Sequence, residues 1–424
     1  MRYLFVPLVL SVSALALVAC SANSDSNGFD EDGGGGETSG SGGNGASSSS
    51  GLGFGGNMST GSGSTCDSGP DDDFDADGFT SNQGDCNDCD PMSNPNAVEV
   101  IAGPDENGMT PEPADEDCDG DLDEIEVCDT GIAVDDMDPM SAAHAVELCQ
   151  TAGATGWGVV SAQWVMVDGS PENGSPNFHL GHGILNGFGT NVSVQGGERM
   201  LALSSGTARQ PTDVGYAAVS GFDKGYTGGH PMGFPKESPA CPGSITGILH
   251  DGTAVEVVVR VPSNAKGFSF DFNFYTYEWP GWVCSTYNDF FVALLSPIPM
   301  GQTDGNISFD SQGNPVSVNN AFVDVCGCMT GPPCLAGGKT FTCSLGAGEL
   351  LGTGFGIDTD GYSDHGATSW LKTTAPADPG TEITIRWGVY DSGDGVLDST
   401  TLIDNWQWTA DPGEVGTTPV PDPK

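Results

Sequence analysis

Phe268-Ser269-Phe270-Asp271-Phe272-Asn273-Phe274 places a phenylalanine at every second position, with a small or polar residue between. Successive side chains of an extended chain point to opposite faces, so all four rings fall on one side of a strand. Just upstream, Val255-Glu256-Val257-Val258-Val259-Arg260-Val261 is a β-branched run of the same kind. Phe290 to Leu295, Ile383 to Val389 and Leu402 to Trp408 are three more. Gly, Pro, Asn and Asp separate the runs, and these are turn residues. The chain from residue 128 to residue 411 therefore reads as all-β, a β-sandwich of jelly-roll type with one large core. One helix is expected, Ser141 to Cys149, with Ser141 as N-cap and Ala142, Ala145, Val146 and Cys149 at helical spacing.

Upstream of the sandwich the composition changes. Between Asp67 and Asp138 lie 25 of the chain's 58 acidic residues and no Lys or Arg. Carboxylates at this density repel one another unless cations gather among them. Twice they fall into the spacing of a calcium loop, in which carboxylates alternate and a Gly makes the sharp turn. The first is Asp73-x-Asp75-x-Asp77-Gly78, where Gly84 holds the twelfth position and Asp85 follows it. The second is Asp115-x-Asp117-x-Asp119-Gly120, continued by the Asp121 carbonyl, Asp123 and Glu126. Calcium is the expected cofactor of this 66–127 segment. Neither loop has flanking helices, so this is not an ordinary EF-hand pair. The plainer alternative is an acidic spacer that gathers cations loosely.

The formal charge is -47, with 11 basic residues in the whole chain. Nucleic acid is excluded as a partner, because phosphate binding needs basic patches. An anionic membrane surface would repel the chain, so membrane association must be covalent or through another protein.

The N-terminus supplies a covalent route. Arg2 precedes an apolar run from Leu4 to Val18, which ends Leu17-Val18-Ala19-Cys20-Ser21. The run has the length of a signal-peptide core and is too short to span a bilayer. It resembles the bacterial lipoprotein signal. That resemblance implies removal of residues 1–19, lipid on Cys20, and a location at the bacterial outer membrane or cell surface. Residues 20–65 form a Gly/Ser-rich tract that cannot bury enough surface to order itself. As a flexible tether it would reach about 35–40 Å on average. Residues 412–424 are expected to be an unstructured tail. Without Cys20 twelve cysteines remain, and an even set in an exported chain reads as disulfides. Pairing is open; Cys128 with Cys149, and two pairs within Cys326 to Cys343, are the simplest by proximity. Cys86-x-x-Cys89 alone could suggest zinc, which export and the neighbouring Asp residues argue against.

Two stretches resemble known families. Asp75-Ala76-Asp77-Gly78-Phe79, Asp85-Cys86-Asn87-Asp88, Asn94-Pro95-Asn96-Ala97, and Asp117-Cys118-Asp119-Gly120 with Asp123-Glu124 resemble an Asp-rich metal-binding motif of bacterial surface proteins. Cys89 and the insert from Ile101 to Pro113 depart from that pattern and leave open which Cys pairs with Cys118. The loops also resemble thrombospondin type 3 and dockerin arrangements. Further on come Glu278-Trp279-Pro280, Tyr287-Asn288-Asp289-Phe290-Phe291, Pro315-Val316-Ser317-Val318-Asn319-Asn320, Asp360-Gly361, and Asp391-x-x-Asp394-x-x-x-Asp398-Ser399. Together these resemble the choice-of-anchor L domain of bacterial surface proteins, over roughly Thr155 to Trp408. The resemblance implies attachment to the cell surface. The Cys cluster from Cys326 to Cys343 departs from it.

Within the sandwich, Glu278, Asp289, Asp391, Asp394 and Asp398 lie near strand ends. They could converge on a second metal ion, or serve only as turn formers. Tyr275, Tyr277, Trp279, Trp282 and Tyr287 are the densest aromatic group. Exposed, they could stack on a glycan or anchor a protein ligand; otherwise they cover a second sheet or loop. His179-x-x-His182 lies among glycines that oppose a helix, and in a strand the two rings would face opposite sides. His-Glu-x-x-His, Gly-x-Ser-x-Gly and a phosphate loop are all missing. The expectation is a lipid-anchored surface protein that binds calcium and uses a non-catalytic sandwich for adhesion or ligand binding. The alternatives are an exported polysaccharide hydrolase and a structural matrix component.

Overall fold

The computed structural model describes residues 69–101, 109–110, 112–319, 322–328, 331–356, 365–421 and 423–424. The signal peptide, Cys20, the tether, Cys66 and most of the 101–113 insert lie outside the described residues.

In chain order the strands are β1 (Gly158–Val165), β2 (His182–Leu185), β3 (Met200–Ser204), β4 (Thr227–Gly228), β5 (Leu249–Arg260), β6 (Gly267–Thr276) and β7 (Phe290–Ser296). They continue with β8 (Val325–Cys326), β9 (Cys334–Ala336), β10 (Lys339–Phe341), β11 (Gly366–Pro376), β12 (Glu382–Ser392), β13 (Ser399–Thr409) and β14 (Gly416–Pro419). One sheet runs β1-β5-β12-β7, with β4 beside β5; the other runs β14-β11-β6-β13-β3-β2, with β8 beside β11. Within both sheets the strand pairs are antiparallel. Each of the five apolar runs read from the sequence is one of the longer strands, and the sandwich is as expected.

The phenylalanine row explains the layering. Phe268, Phe270, Phe272 and Phe274 of β6 are fully buried between the sheets. Phe270 meets Trp387 of β12 edge-on at 5.5 Å, and Phe272 lies 4.8 Å from Phe291 of β7. Val255, Val257 and Val259 of β5 and Ile385 of β12 complete this inter-sheet core. Burying aromatic side chains of this size contributes roughly 2–3 kcal/mol each.

Alternation predicts a wet outer face for β6, yet Ser269, Asp271, Asn273 and Tyr275 are buried too. A second apolar layer, including Phe188, Leu350 and Phe355, covers that face. Asp271 is neutralised there by Lys372 at 3.1 Å and accepts from Asn405 Nδ2 at 2.7 Å.

Two expectations are corrected. The helix, α1, is Pro139–His144, capped by Asp138, whose side chain accepts the Met140 N–H. Asp followed by Pro is a stronger start than Ser141, because proline's fixed φ suits the first helical position. The helix stops early because Glu147 turns left-handed (φ 65). The tail expected to be unstructured contains β14, which pairs with β11 from Leu371↔Pro419 to Thr374↔Gly416. Backbone pairing with β11 and the hydroxyl of Thr417, bonded to Thr373 and to the Phe309 N–H, hold it, contacts that composition does not signal.

Candidate metal centres and ligand surface

The two acidic loops fold on one plan. In each, an Asp side chain accepts the N–H two residues on: Asp75 from Asp77 and Asp77 from Phe79, then Asp117 from Asp119 and Asp119 from Asp121. Gly78 and Gly120 occupy the same positive φ, 102° and 103°, where a side chain would be strained. Ala76 and Cys118, two residues earlier, are also left-handed. The loops are thus wound so that alternate carboxylates point inward. A disulfide between Cys86 and Cys118 ties one loop to the other.

In the first loop, Asp73, Asp75 and Asp88 each bring one oxygen within 4.8 Å of the others, and so do Asp75, Asp77 and Asp85. Asp85, the expected substitute for the missing twelfth residue, is therefore in place. In the second, the groups are Glu99 with Asp115 and Asp117, Glu99 with Glu116 and Asp123, and Asp117 with Asp119 and Glu124. Asp121 and Glu126 are exposed and stand outside these groups. Glu126 was read as the closing ligand; Glu124 and Glu99, not Glu126, lie within these groups.

Glu99 is the residue sequence reasoning missed. It enters from well upstream and accepts the amides of Glu116 and Asp117 on one oxygen and that of Asp123 on the other. No local spacing could reveal it, since the contact is made across the fold. Asp88 was visible in the motif yet was not counted.

The electrostatics of these loops are unbalanced. Asp75, Asp77, Asp85 and Asp88 each keep a buried oxygen with no hydrogen-bond partner, as do Asp115 and Glu124. Burial, then Asp77, raises the Asp75 pKa, and burial does the same for Asp85, Glu99 and Glu116. Asp117 rises to about 6, through burial first and Asp119 second. Asp75, Asp85, Glu99, Glu116 and Asp117 thus hold a proton more readily than free acids do, unless a cation offsets their charge.

The acidic collar is seated on the sandwich. Asn264 Nδ2 donates to the Val98 and Met92 carbonyls, its oxygen accepts the Val98 N–H, and the Ser263 hydroxyl donates to Asn94. Asn264 and Asn94 are both buried, and every side-chain polar atom of the two is bonded at this seam except Asn94 Nδ2.

At one end of the sandwich Asp289 feels the charges of Glu278, Asp391 and Asp398, but no three of these carboxylates bring oxygens within 4.8 Å of one another. Glu278, Asp289, Asp391 and Asp398 are buried, while Asp394 stays exposed.

The aromatic group divides. Tyr275 and Trp279 are completely buried, in the outer apolar layer and in the disulfide-rich knob respectively, so neither can meet a ligand. Tyr277 is half-buried and stacked on His365 at 3.4 Å. Trp282 is 42% exposed and meets Tyr287 edge-on at 5.0 Å, making an aromatic pair open to solvent. His182 lies in the core, stacked on Trp164 at 3.8 Å; burial and then Arg209 lower its pKa to about 3. It is a neutral packing residue.

Disulfides staple the loops rather than the sheets. Cys128–Cys149 closes the segment containing α1, and Cys241–Cys284 fastens the loop that carries Trp282. Cys326–Cys343 and Cys328–Cys334 hold the knob.

No protein-family model matches the chain, and no curated protein does. Among solved structures, the carbohydrate-binding module TmCBM61, determined in complex with β-1,4-galactotriose, is similar over 59% of this chain and 88% of its own, at 8% identity and a TM-score of 0.20.

Proposed function

We propose that this is a lipid-anchored protein of the bacterial cell surface, with a calcium-binding collar and a non-catalytic sandwich that binds a ligand outside the cell. The observation that carries the reading is the collar: two loops of one plan, each gathering carboxylates within 4.8 Å, with buried oxygens that nothing else satisfies. Hard oxygen ligands on a turned loop suit calcium above the softer transition metals. Ligand binding is supported by the Trp282–Tyr287 pair, held out on a disulfide-fastened loop. The non-catalytic reading is supported by Glu278 and Asp289, the pair a glycosidase would need, which are sealed from solvent. Anchoring rests on the Leu17 to Cys20 sequence. Among the described residues no helix is long and apolar enough to cross a membrane.

Calorimetric titration of the full chain with calcium tests the collar. Saturable binding that Asp75→Asn and Asp117→Asn weaken is expected; equal binding by both variants and wild type sinks the reading. Mass spectrometry of the N-terminus tests the anchor, with a diacylglyceryl group on Cys20 as the expected result and an unmodified Cys20 as the contrary one.

A further inference from the structure

The alternation that builds the apolar core also determines what stands at its end. Phe272 and Phe274 face the opposite sheet from β6, and Glu278 follows that strand. On β7 the inward residues are Phe291, Ala293 and Leu295, with Asp289 next in phase just before the strand. On β12 they are Ile385, Trp387 and Val389, then Asp391. On β13 they are Ile403, then Thr401 and Ser399, with Asp398 preceding them. At this end of the two sheets β6, β7 and β12 therefore carry acids in phase with their core residues, whereas Asp398, one position out of phase beside Ser399, reaches the set closely enough to feel the Asp391 charge. Of the four strands, two belong to each sheet.

These oxygens are buried and lack partners. Asp289 is 0% and Asp391 2% exposed, and neither oxygen of either carboxylate receives a hydrogen bond. Asp398 Oδ2, Ser399 Oγ and Thr401 Oγ1 are also unpartnered. The Ser399 hydroxyl leans toward Asp289, and the Val396 and Asp394 amides toward Asp391, without closing a hydrogen bond. Glu278 is held in place, its Oε2 accepting the Asp289 N–H at 3.2 Å. Among the described residues Lys224 is the one buried ammonium. Its Nζ donates to the Ser204 carbonyl and the Thr253 hydroxyl, and Asp251 and Asp398 feel its charge.

A single ammonium cannot balance this many buried carboxylates, and an uncompensated buried charge costs several kcal/mol. Every unmatched atom of the set is an oxygen, which is the donor set of a hard cation. We propose that the chamber between the sheets binds a calcium ion through Asp289, Asp391 and Asp398, assisted by Glu278, Ser399 and Thr401, and so clamps the two sheets at that end. The acids are spread more widely than the collar triads, no three having oxygens within 4.8 Å of one another, so binding has to draw them together. The site does not depend on the collar reading.

Terbium, a luminescent stand-in for calcium, separates the two. The described collar, residues 69–127, has Phe74 and Phe79 as its aromatics and no Tyr or Trp. The chamber adjoins Tyr390, whose buried hydroxyl is unpartnered and feels the Asp289 charge. Emission excited through Tyr and Trp should therefore report the chamber. In the chelator-stripped full chain it should rise to saturation with terbium and be displaced by calcium. Asp289→Asn/Asp391→Asn should cut it tenfold or more, whereas Asp75→Asn/Asp117→Asn should leave it. Asn copies the protonated acid, so the fold should accept these changes; the single Asp391→Asn, expected to weaken terbium several-fold, is the second variant. Absent sensitised emission in wild type would mean that the acids merely hold protons, and would overturn the proposal. Emission unchanged in both chamber variants would do so as well. Loss of collar binding with chamber emission intact would reject the collar alone.

Discussion

Glu147 and Asp404 share one amide: the Asn405 N–H donates to Glu147 Oε2 at 2.7 Å and to Asp404 Oδ1 at 2.8 Å. A bulge in β13 after Asp404 makes this meeting, with Asn405 left-handed (φ 57) and the Trp406 N–H bonded to the Val146 carbonyl. The structure thus ties the segment after α1 to the second sheet through two acids. Gly196 and Gly197 leave room for them, since a Cβ at either would fall within 2.9 Å of a Glu147 carboxylate atom and push that side chain aside.

Two carboxylates on one donor cannot both ionise cheaply in a buried site. Burial, followed by Asp404, raises Glu147 from 4.5 to about 10, and burial raises Asp404 to about 7. The folded protein therefore holds a proton that the unfolded chain releases. Stability from this pair is complete below the unfolded pKa of 4.5 and declines as pH rises toward the folded value of about 10. Glu147→Gln keeps a donor for Asp404 and removes the titration. Its melting temperature should exceed that of wild type at about pH 8–9 by several degrees, at roughly 2–4 °C per kcal/mol, and match it near pH 5. Scanning calorimetry across this range is the check. Parallel pH profiles would contradict the assignment.

In the collar, position in the fold should outrank position in the spacing. Glu99→Gln weakens a group that braces three amides of the second loop, and Asp85→Asn removes a buried, unpartnered oxygen from the first. Each should reduce calcium affinity about tenfold from the 10⁻⁴–10⁻³ M usual for extracellular modules. Glu126→Gln, on an exposed side chain outside the groups, should leave it unchanged. Titration calorimetry distinguishes these outcomes, and a large effect of Glu126→Gln would restore the plain loop spacing.

These cases show where sequence reading succeeds and where it stops. The strands were legible because the Phe row and the Val run declare a two-residue period that only an extended chain satisfies. The loop plan was legible because Gly78 and Gly120 sit where the turn requires them. Glu99 and Asp404 were not, because their partners are brought to them by tertiary contacts and not by neighbours in the chain. Tyr275 stayed between a ligand surface and a covered face for a related reason: alternation fixes its face, but not whether another layer covers that face. The carboxylates at the sandwich end were found as strand-end acids, and only the paired sheets reveal that four of them are buried near enough for Asp289 to feel the charges of the other three.

Trp279 and Trp282, three positions apart, should fail in different ways. Trp279 is completely buried against Phe341 in the disulfide knob, so Trp279→Ala should cost about 3–5 kcal/mol and lower the melting temperature. Trp282→Ala should leave thermal stability within about 0.5 kcal/mol, as surface changes do. If the exposed pair with Tyr287 is the ligand platform, the same variant should lose most binding on a glycan or protein array that wild type recognises. Full retention of binding by Trp282→Ala would move the ligand surface elsewhere.

The C-terminal strand gives the last test. β14 covers the edge of β11, bonds the Val420 N–H to the Trp370 carbonyl at 2.9 Å, and sets the Thr417 hydroxyl 2.9 Å from that of Thr373. An uncovered edge offers a row of free amides and carbonyls to another chain. β14 itself is guarded, since Pro419 has no N–H to offer and sits on the outermost strand. Deleting residues 412–424 should therefore lower the melting temperature and, in addition, promote self-association through β11. Light scattering against concentration reads the second effect separately from the first. A truncated chain that melts earlier but stays monomeric would show that the β11 edge is protected by its own Lys372 and Pro376 rather than by the strand laid over it.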